Sequence, residues 1–225
     1  MYISLGTPLH LAEIDQTPDL DRLKRDITIA IVDDEAFPYT GQLRAHDYHA
    51  TEVGADISSV KQLEAYPIIA CDIRGVAPKF GSLQEGAHLI AEIRKCYPDK
   101  YLIAYTGSSF DASLNHKLAS ADSSINKDAP FDFWHTELER ALTSVGNPRK
   151  RWLRFRKSLM DDGLDSWYIF NIEQAFIKAI KSREFPKWDY IKMTSGFTDQ
   201  QTQLIKTLGQ IVLPALLKLA VSQVP

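Results

Sequence analysis

Five polar side chains of this 225-residue chain follow strand-like apolar runs, and their types suit one kind of chemistry. They are Asp33, Asp34, Asp72, Thr106 and Lys127. The carboxyl ends of parallel strands meet at one edge of an open α/β sheet, which is where ligands bind. A single Asp in such a place is more often a turn or cap residue. Polar groups at four strand ends predict a shared site instead.

Phosphoryl transfer to a carboxylate is the chemistry that fits this set of side chains. Three clustered carboxylates repel one another unless a cation lies among them, and hard oxygen ligands favour Mg²⁺. Asp72 is then the expected nucleophile. An attacked phosphoryl group spreads negative charge over its oxygens, so an ammonium group such as Lys127 and a hydroxyl group such as Thr106 would stabilise it beside the metal.

Apolar runs alternate with helix-like segments along the middle of the chain, which predicts a parallel sheet between two layers of helices. The capping box Ser82-Leu83-Gln84-Glu85 marks the start of one of these helices. We expect strands at 27–32, 49–53, 67–71, 101–105 and 123–126, and helices at 38–45, 58–65, 84–97, 112–119 and 131–144.

Four short motifs carry the candidate residues in a fixed order. They are Ile31-Val32-Asp33-Asp34-Glu35, Ala70-Cys71-Asp72, Ala104-Tyr105-Thr106-Gly107 and Asn126-Lys127. In order and spacing they resemble the receiver domain of response regulators from two-component signalling, over about residues 27–145. The resemblance implies a flavodoxin-like (βα)5 fold with a parallel five-stranded sheet.

The resemblance also implies a role for each acidic residue. Asp72 would accept a phosphoryl group from the phosphohistidine of a sensor histidine kinase or phosphotransfer protein in a phosphorelay. Asp34, Asp72 and the backbone carbonyl of Arg74 would hold Mg²⁺, and Asp33 would assist through water. Such a protein is a signalling phosphoacceptor with slow autodephosphorylation, and not an enzyme.

By the same resemblance, Lys127 pairs with the phosphoryl group and Thr106 closes on it when the domain switches. The chain departs from the family pattern in three places, one of which is a longer loop over 73–81 after Asp72. Asp128 stands where proline usually follows the lysine, and Ser124 stands where an aromatic residue is usual. These departures leave open a phosphate-independent pseudo-receiver that acts as a protein-interaction module.

Two other protein classes share parts of this pattern. Haloacid-dehalogenase-like phosphatases use a strand-end Asp as nucleophile, but they need a second acidic residue two positions later, where Arg74 stands here. A flavin-binding protein of the same sheet topology has no comparable need for the acidic pair and the lysine. We therefore prefer the phosphoacceptor.

Charge is distributed unevenly along the chain, although the net charge is only -3. Residues 1–26 carry a charge of -2, residues 27–147 carry -7, and residues 148–225 carry +6. The turn-forming Gly146-Asn147-Pro148 lies where the sign changes. We expect an N-terminal arm over 1–26, a receiver domain over 27–147 and a helical output or interaction domain over 148–225.

The basic C-terminal domain is predicted to be all-α. Helices are expected at 149–160 and 166–181, and a third should begin after the capping-box residue Thr198 and bend at Pro214. The apolar stripe of this last helix needs cover, either from the core or from a second copy in a homodimer.

Function of the C-terminal domain stays open at this stage. Its cationic residues leave a DNA-binding transcriptional regulator as a further alternative, although we find no convincing helix-turn-helix. No apolar run is long enough for a membrane span, no secretory signal is evident, and the chain has only two cysteines. We expect a cytoplasmic protein that does not contact the membrane.

Overall fold

The structure is a computed structural model, and it divides the chain into two compact units. One unit is Asp19–Val145, and the other combines Met1–Pro18 with Gly146–Pro225. The N-terminal arm expected over 1–26 is thus divided between the two units, and the boundary lies just before Asp19. The residues described are 7–16, 19–78, 85–107, 118–184 and 196–221.

A parallel sheet forms the centre of the first unit. Its strands are β1 (Thr28–Val32), β2 (His49–Glu52), β3 (Ile68–Asp72), β4 (Tyr101–Thr106) and β5 (Ser123–Asn126). Their order across the sheet is β2-β1-β3-β4-β5, with every neighbouring pair parallel. This is the flavodoxin-like order. The predicted fold class is therefore confirmed.

Helices flank the sheet: α1 (Leu20–Asp26), α2 (Thr40–Ala45), α3 (Glu85–Cys96) and α4 (Phe131–Gly146). β3 and β4 are buried at every position, as expected of central strands that are covered on both faces. The two edge strands, β2 and β5, have four residues each and are mostly exposed or half-buried.

The register of the strands brings the candidate residues to one edge of the sheet. Val32 at the end of β1 lies opposite Cys71 of β3, Asp72 lies opposite Tyr105, and Thr106 lies opposite Asn126. The strands therefore end level with one another, and the loops that follow them begin side by side at this edge.

Two of the expected helices in this unit need separate comment. The helix expected at 58–65 is wrong: the chain forms only a 3₁₀ turn at Val60–Leu63. The Gln62 side chain accepts hydrogen bonds from the backbone N–H groups of Ser58 and Ser59, which fixes a tight turn. Most of the helix expected at 112–119, and the first three residues of the Ser82–Glu85 capping box, lie outside the described residues.

The second unit is helical, as predicted. After a 3₁₀ turn at Leu11–Ile14 it contains α5 (Pro148–Asp161), α6 (Ser166–Ser182), α7 (Asp199–Thr207), a π-helical segment (Leu208–Val212) and α8 (Leu213–Val221). Trp152 stacks on Phe176 in the core, with ring centroids 5.3 Å apart, and its indole N–H donates to Glu173 at 2.6 Å.

A π-helical segment lies directly before Leu213 and Pro214, where the sequence predicts a bend. Proline has no N–H to give to the carbonyl four residues earlier, and its ring crowds that carbonyl. The preceding turn widens to the looser π pattern, which is a common way for a helix to accommodate such a defect. Thr198 caps α7 with the predicted capping box to Gln201.

Residues 7–16 pack on the helices of this second unit. The Gln174 amide exchanges two hydrogen bonds with the backbone of Leu9, at 2.7 and 3.0 Å. Asp15 accepts from Asn147 at 2.9 Å and from Arg149 at 2.6 Å, and Glu13 pairs with Lys181. Charged and polar contacts thus join residues 7–16 to helices that lie more than 130 residues later in the chain.

Among the described residues, none of the helices combines the length and the apolar character that crossing a bilayer requires.

Candidate functional site

Three carboxylates lie together at the carboxyl edge of the sheet. Asp33 and Asp34 follow β1 and Asp72 ends β3, and one ligand oxygen from each lies within 4.8 Å of the others. Asp33 and Asp72 are buried, whereas Asp34 is exposed. In the described part of the chain, no other group of three or more His, Cys, Asp or Glu side chains is spaced for a metal ion.

Lys127 places its ammonium group among these carboxylates. Its Nζ lies 3.0 Å from Asp72 Oδ2, 3.2 Å from the Asp33 carboxylate and 3.1 Å from Glu35 Oε2. Partial burial opposes protonation of Lys127, but hydrogen bonds to Asp72, Glu35 and Asp33 outweigh it and raise the pKa of the ammonium group. Lys127 is therefore a fixed positive charge that faces more than one negative charge.

Asp33 is held as an anion by three donors. Its Oδ1 accepts from the backbone N–H of Glu35 at 3.0 Å, and its Oδ2 accepts from the Tyr105 hydroxyl at 2.8 Å. Burial alone would raise the pKa of Asp33, but these two hydrogen bonds and the Lys127 ammonium lower it below its ordinary value. Much of the hydrogen-bonding capacity of Asp33 is already used by the protein.

The surroundings of Asp34 disfavour its charged form, in contrast to those of Asp33. Loss of solvent raises the pKa of this carboxyl, and the negative charges of Asp33 and Asp72 raise it further. A divalent cation bound beside all three groups would remove this repulsion. Asp34 is accordingly a carboxylate that would gain from a bound metal ion.

Gly75 makes room for the Asp34 side chain. Its φ of +71° is one that residues with a Cβ rarely adopt, and a Cβ at this position would lie 2.4 Å from Asp34 Oδ2. The Gly75 N–H also donates to Glu85 Oε2 at 2.6 Å, which ties the loop after β3 to the start of α3. A side chain at this position would force the Asp34 carboxylate to move and would strain the backbone.

A second glycine lets α3 approach the end of β3. A Cβ at Gly86 would lie 2.0 Å from the carbonyl oxygen of Asp72 and 2.9 Å from Cα of Ile73. The backbone N–H of Arg74 donates to Asp72 Oδ1 at 3.1 Å. The strand end, the loop and the helix thereby fix both the backbone and the carboxylate of Asp72.

The remaining predicted site residues lie at the same edge. Thr106 ends β4 and is buried, and its carbonyl accepts from the backbone N–H of Lys127 at 2.9 Å. Arg74 is in the loop directly after Asp72, where its carbonyl could face a bound ion. The roles assigned to the Thr106 hydroxyl and the Arg74 carbonyl stay predictions. Ser124 is exposed on edge strand β5.

Tyr105 is a site residue that the sequence reasoning missed. It is fully buried, donates to Asp33, and packs its ring against Phe37 and Trp134 at centroid distances of 6.1 and 5.2 Å. Burial, with the nearby Asp33 charge, raises its pKa, so the hydroxyl keeps its proton. A tyrosine in an otherwise apolar buried strand needs a partner for its hydroxyl, and that was the available signal.

The donor set fits Mg²⁺. All the candidate ligands are hard oxygens, one carboxylate has a raised pKa, and the edge carries more negative charge than Lys127 neutralises. No thiol or imidazole belongs to the cluster, so nothing in it favours a softer metal. Asp33, Asp34 and Asp72 are thus the residues that would hold the ion.

The positive side chains of helix α5 in the second unit are less available to bind an anion than the sequence suggests. Arg149 pairs with Asp15, Lys157 pairs with Asp161, and Arg156 Nη1 lies 3.5 Å from Glu173 Oε2. Arg151 is buried. Much of the positive charge is balanced within the unit, which reduces its attraction for a polyanion.

Comparisons with known proteins give likenesses only among solved structures. The chain matches no protein-family model and no curated protein. A two-component response regulator from Clostridium difficile is 17% identical, with a TM-score of 0.43, and the match covers 52% of this chain and 95% of that one. The beryllofluoride-activated NtrC4 receiver domain dimer is 18% identical, with a TM-score of 0.41, 51% of this chain and 95% of that chain being covered.

NtrX from Brucella abortus in complex with ATP is 20% identical, with a TM-score of 0.43, over 68% of this chain. The chain spans only 34% of that longer protein. The first two of these structures are a two-component response regulator and a receiver domain, the family that the sequence motifs resemble. The likeness is one of fold.

Proposed function

We propose that this chain is a response regulator that accepts a phosphoryl group on Asp72 with the help of Mg²⁺. The observation that carries the proposal is the Asp72 carboxylate at 3.0 Å from Lys127 Nζ, beside the carboxylates of Asp33 and Asp34. An acceptor carboxylate, oxygen ligands for a metal and a fixed ammonium group are what phosphoryl transfer to a protein requires. The proposed donor is the phosphohistidine of a sensor histidine kinase or phosphotransfer protein.

In the proposed transfer, a carboxylate oxygen of Asp72 attacks phosphorus and forms the O–P bond of an acyl phosphate. The P–N bond of the donor breaks, its electron pair stays on the imidazole, and solvent supplies any proton that the imidazole takes up. Lys127 is in place to donate one N–H to a phosphoryl oxygen, and Thr106 would donate its hydroxyl to another. Bound Mg²⁺ would neutralise part of the charge on the phosphoryl oxygens.

Signal transmission follows from the change of charge at the edge. A phosphoryl group on Asp72 draws Lys127 away from the carboxylates that it now contacts, and this biases the unit between two conformations. Water slowly cleaves the acyl phosphate and resets the protein. The chain is in this proposal a signalling phosphoacceptor and not an enzyme.

Acetyl phosphate with Mg²⁺ tests the proposal directly. Intact-mass spectrometry should show the gain of one phosphoryl group in the wild type and none in Asp72→Asn. Asp132→Asn, which changes an exposed Asp outside the cluster, is the matched control and should be labelled like the wild type. A wild type without label, or an Asp72→Asn variant with equal label, would contradict the proposal.

A phosphate-independent pseudo-receiver is the second candidate, and it is favoured by Ser124 and Asp128, which stand where the family usually has an aromatic residue and a proline. In this case the fold would present a partner-binding surface without the chemistry. Beryllofluoride, which mimics a phosphoryl group on a carboxylate, distinguishes the two candidates. Mg²⁺-dependent binding of beryllofluoride supports the phosphoacceptor, and its absence supports the pseudo-receiver.

For the helical unit we propose a protein partner in preference to DNA, because cations of α5 are paired within the unit. Leu213, Leu216 and Leu217 of α8 are buried in its core, so a homodimer through this helix would have to use other residues. We also propose a cytoplasmic location, which suits the free thiols of Cys71 and Cys96.

A further inference from the structure

Tyr105 touches both the carboxylate edge and a helix of the first unit. Its hydroxyl is 2.8 Å from Asp33 Oδ2, and its ring lies edge-on to Trp134 of α4 at a centroid distance of 5.2 Å. Phe37 contacts both rings, at 6.1 Å from Tyr105 and 4.9 Å from Trp134. The hydrogen bond to Asp33 and the ring contact with Trp134 are thus made by the same rigid side chain, that of Tyr105.

We propose that Tyr105 is a positioning residue that couples the charge at the carboxylate edge to helix α4 through Trp134. The inference rests on the proposed function in one respect, which is that a divalent cation binds at this edge. It goes beyond that function by naming the side chain that carries the change away from the site.

The first step of the coupling is electrostatic. Asp33 accepts from Tyr105, Lys127 and the Glu35 N–H. A divalent ion beside Asp33 withdraws electron density from its oxygens, and the carboxylate becomes a weaker acceptor for the Tyr105 hydroxyl. The preferred position of the hydroxyl therefore depends on what occupies the edge.

The second step is mechanical. Tyr105 and Trp134 are fully buried, and packed interiors pass displacements to neighbouring side chains because they contain little free space. Trp134 Nε1 is among the buried polar atoms of the described residues that have no hydrogen-bond partner. The Trp134 indole N–H would gain a hydrogen bond from a shift that brings an acceptor within reach.

The third step concerns the helix itself. Trp134 lies in the first turns of α4, which is the last element of the first unit before the chain enters the second. The loop that leads into α4 is also tied to the β1 side of the edge, since the Tyr39 hydroxyl donates to the carbonyl of Ala129 at 2.8 Å. A shift at Trp134 acts on a helix whose start is already connected to the site.

The test uses the full chain, with Mg²⁺ alone as the first probe and Mg²⁺ with beryllofluoride as the second. Tryptophan fluorescence is recorded for the wild type and for Trp134→Phe, and the difference gives the response of Trp134. Tyr105→Phe keeps the ring and removes the hydroxyl. Isothermal titration calorimetry gives the Mg²⁺ affinity of each variant independently of fluorescence.

Tyr101→Phe is the matched control. Tyr101 is on the same strand, and its hydroxyl donates to Glu137 of α4 at 2.7 Å. It starts β4, whereas Tyr105 lies next to its carboxyl end. The substitution therefore removes a tyrosine–carboxylate hydrogen bond to the same helix without touching the edge.

We expect Tyr105→Phe to reduce the response of Trp134 at saturating Mg²⁺ at least threefold, with saturation of each variant set by its own calorimetric titration. Tyr101→Phe should respond like the wild type. An unchanged response in Tyr105→Phe at saturating Mg²⁺ overturns the inference.

Two further outcomes separate this inference from the proposed function. A wild type that binds Mg²⁺ without any response of Trp134 overturns the inference alone, whereas a wild type that binds no Mg²⁺ overturns both. If Tyr105→Phe fails to fold, Asp33→Ala removes the acceptor of the same hydrogen bond. At saturating Mg²⁺ that variant should give no Trp134 response, and a persistent response would overturn the inference.

Discussion

The carboxylate edge of the first unit and the packing of residues 7–16 in the second unit use charge in opposite ways. At the edge, Lys127 faces Asp33, Asp72 and Glu35 together, and Asp34 is left with a raised pKa. In residues 7–16, Glu13 pairs with Lys181, and Asp15 accepts from Asn147 and Arg149. One region keeps an excess of negative charge and the other removes it. A site built to receive a cation should differ in this way from a site built for stability.

The largest effect should come from removing the ammonium group at the edge. Lys127→Ala leaves the buried carboxylates of Asp33 and Asp72 without their cation, and breaking such a pair costs about 3–5 kcal/mol. We expect this loss in the free energy of unfolding, measured by urea denaturation without metal. Added Mg²⁺ should restore part of it, because the ion replaces the missing charge.

Lys157→Ala is the control for this prediction. Lys157 pairs with Asp161 on an exposed helix surface, and exposed pairs contribute about 0–1 kcal/mol. If Lys127→Ala were no more destabilising than Lys157→Ala, the edge would not carry the uncompensated charge described above.

The next effect concerns the space that Gly75 leaves for Asp34. Gly75→Ala puts a methyl group where the Asp34 carboxylate lies, and it strains a backbone of positive φ by about 1–2 kcal/mol. We expect the Mg²⁺ affinity, measured by calorimetry, to fall at least tenfold. Gly54→Ala has a similar φ of +76° but nothing within 4 Å of its Cβ, so it should keep the affinity of the wild type. Equal affinities for the two variants would contradict the proposed role of Asp34.

Acidification should weaken the packing of residues 7–16 on the helices of the second unit. Hydrogen bonds lower the folded-state pKa of Glu13, from the His10 backbone and Lys181, and of Asp15, from Asn147 and Arg149. The stabilisation is therefore complete above their ordinary values of 4.5 and 3.8, and it is lost as the pH falls through the lowered values.

Hydrogen exchange of this segment, corrected for the intrinsic effect of pH, measures the change. We expect protection to fall severalfold on acidification in the wild type, whereas a Glu13→Gln/Asp15→Asn double variant should already be less protected at neutral pH and change little. The same slope in both proteins would show that these two acids do not hold the segment.

The smallest effect should come from Glu35, the exposed partner of Lys127. Its side chain is 71% exposed, so water screens its interaction with the ammonium group. Glu35→Gln should change the free energy of unfolding by less than about 1 kcal/mol. A loss as large as that of Lys127→Ala would mean that the edge depends on Glu35 more than on the buried carboxylates.

The sheet could be predicted from sequence because its central strands β1, β3 and β4 are short, mostly apolar runs that lead into polar residues. The convergence of Asp33, Asp72 and Lys127 followed from the rule that parallel strands end at one edge. The helix expected at 58–65 was wrong because Gln62 bonds the backbone of Ser58 and Ser59 locally. Local hydrogen bonds of this kind compete with helix formation.

Other features depend on contacts that a local pattern does not contain. Asp15 and Asn147 meet although 132 residues separate them, and no motif marks either residue. Tyr105 was missed because β4 is buried on both faces, so its sequence shows no alternation that would indicate which side faces Asp33. The positive φ of Gly75 is likewise a property of the folded loop.

The two outermost strands of the sheet have a consequence for association in the cell. An edge strand offers unpaired backbone groups to other chains, and long, flat, apolar edges promote amyloid-like aggregation. Here β2 and β5 are only four residues long, and β5 reads Ser-Ser-Ile-Asn with a single buried side chain. Such short edge strands offer few backbone groups to an added strand, so a protein that recognises this unit is expected to bind its helices and loops.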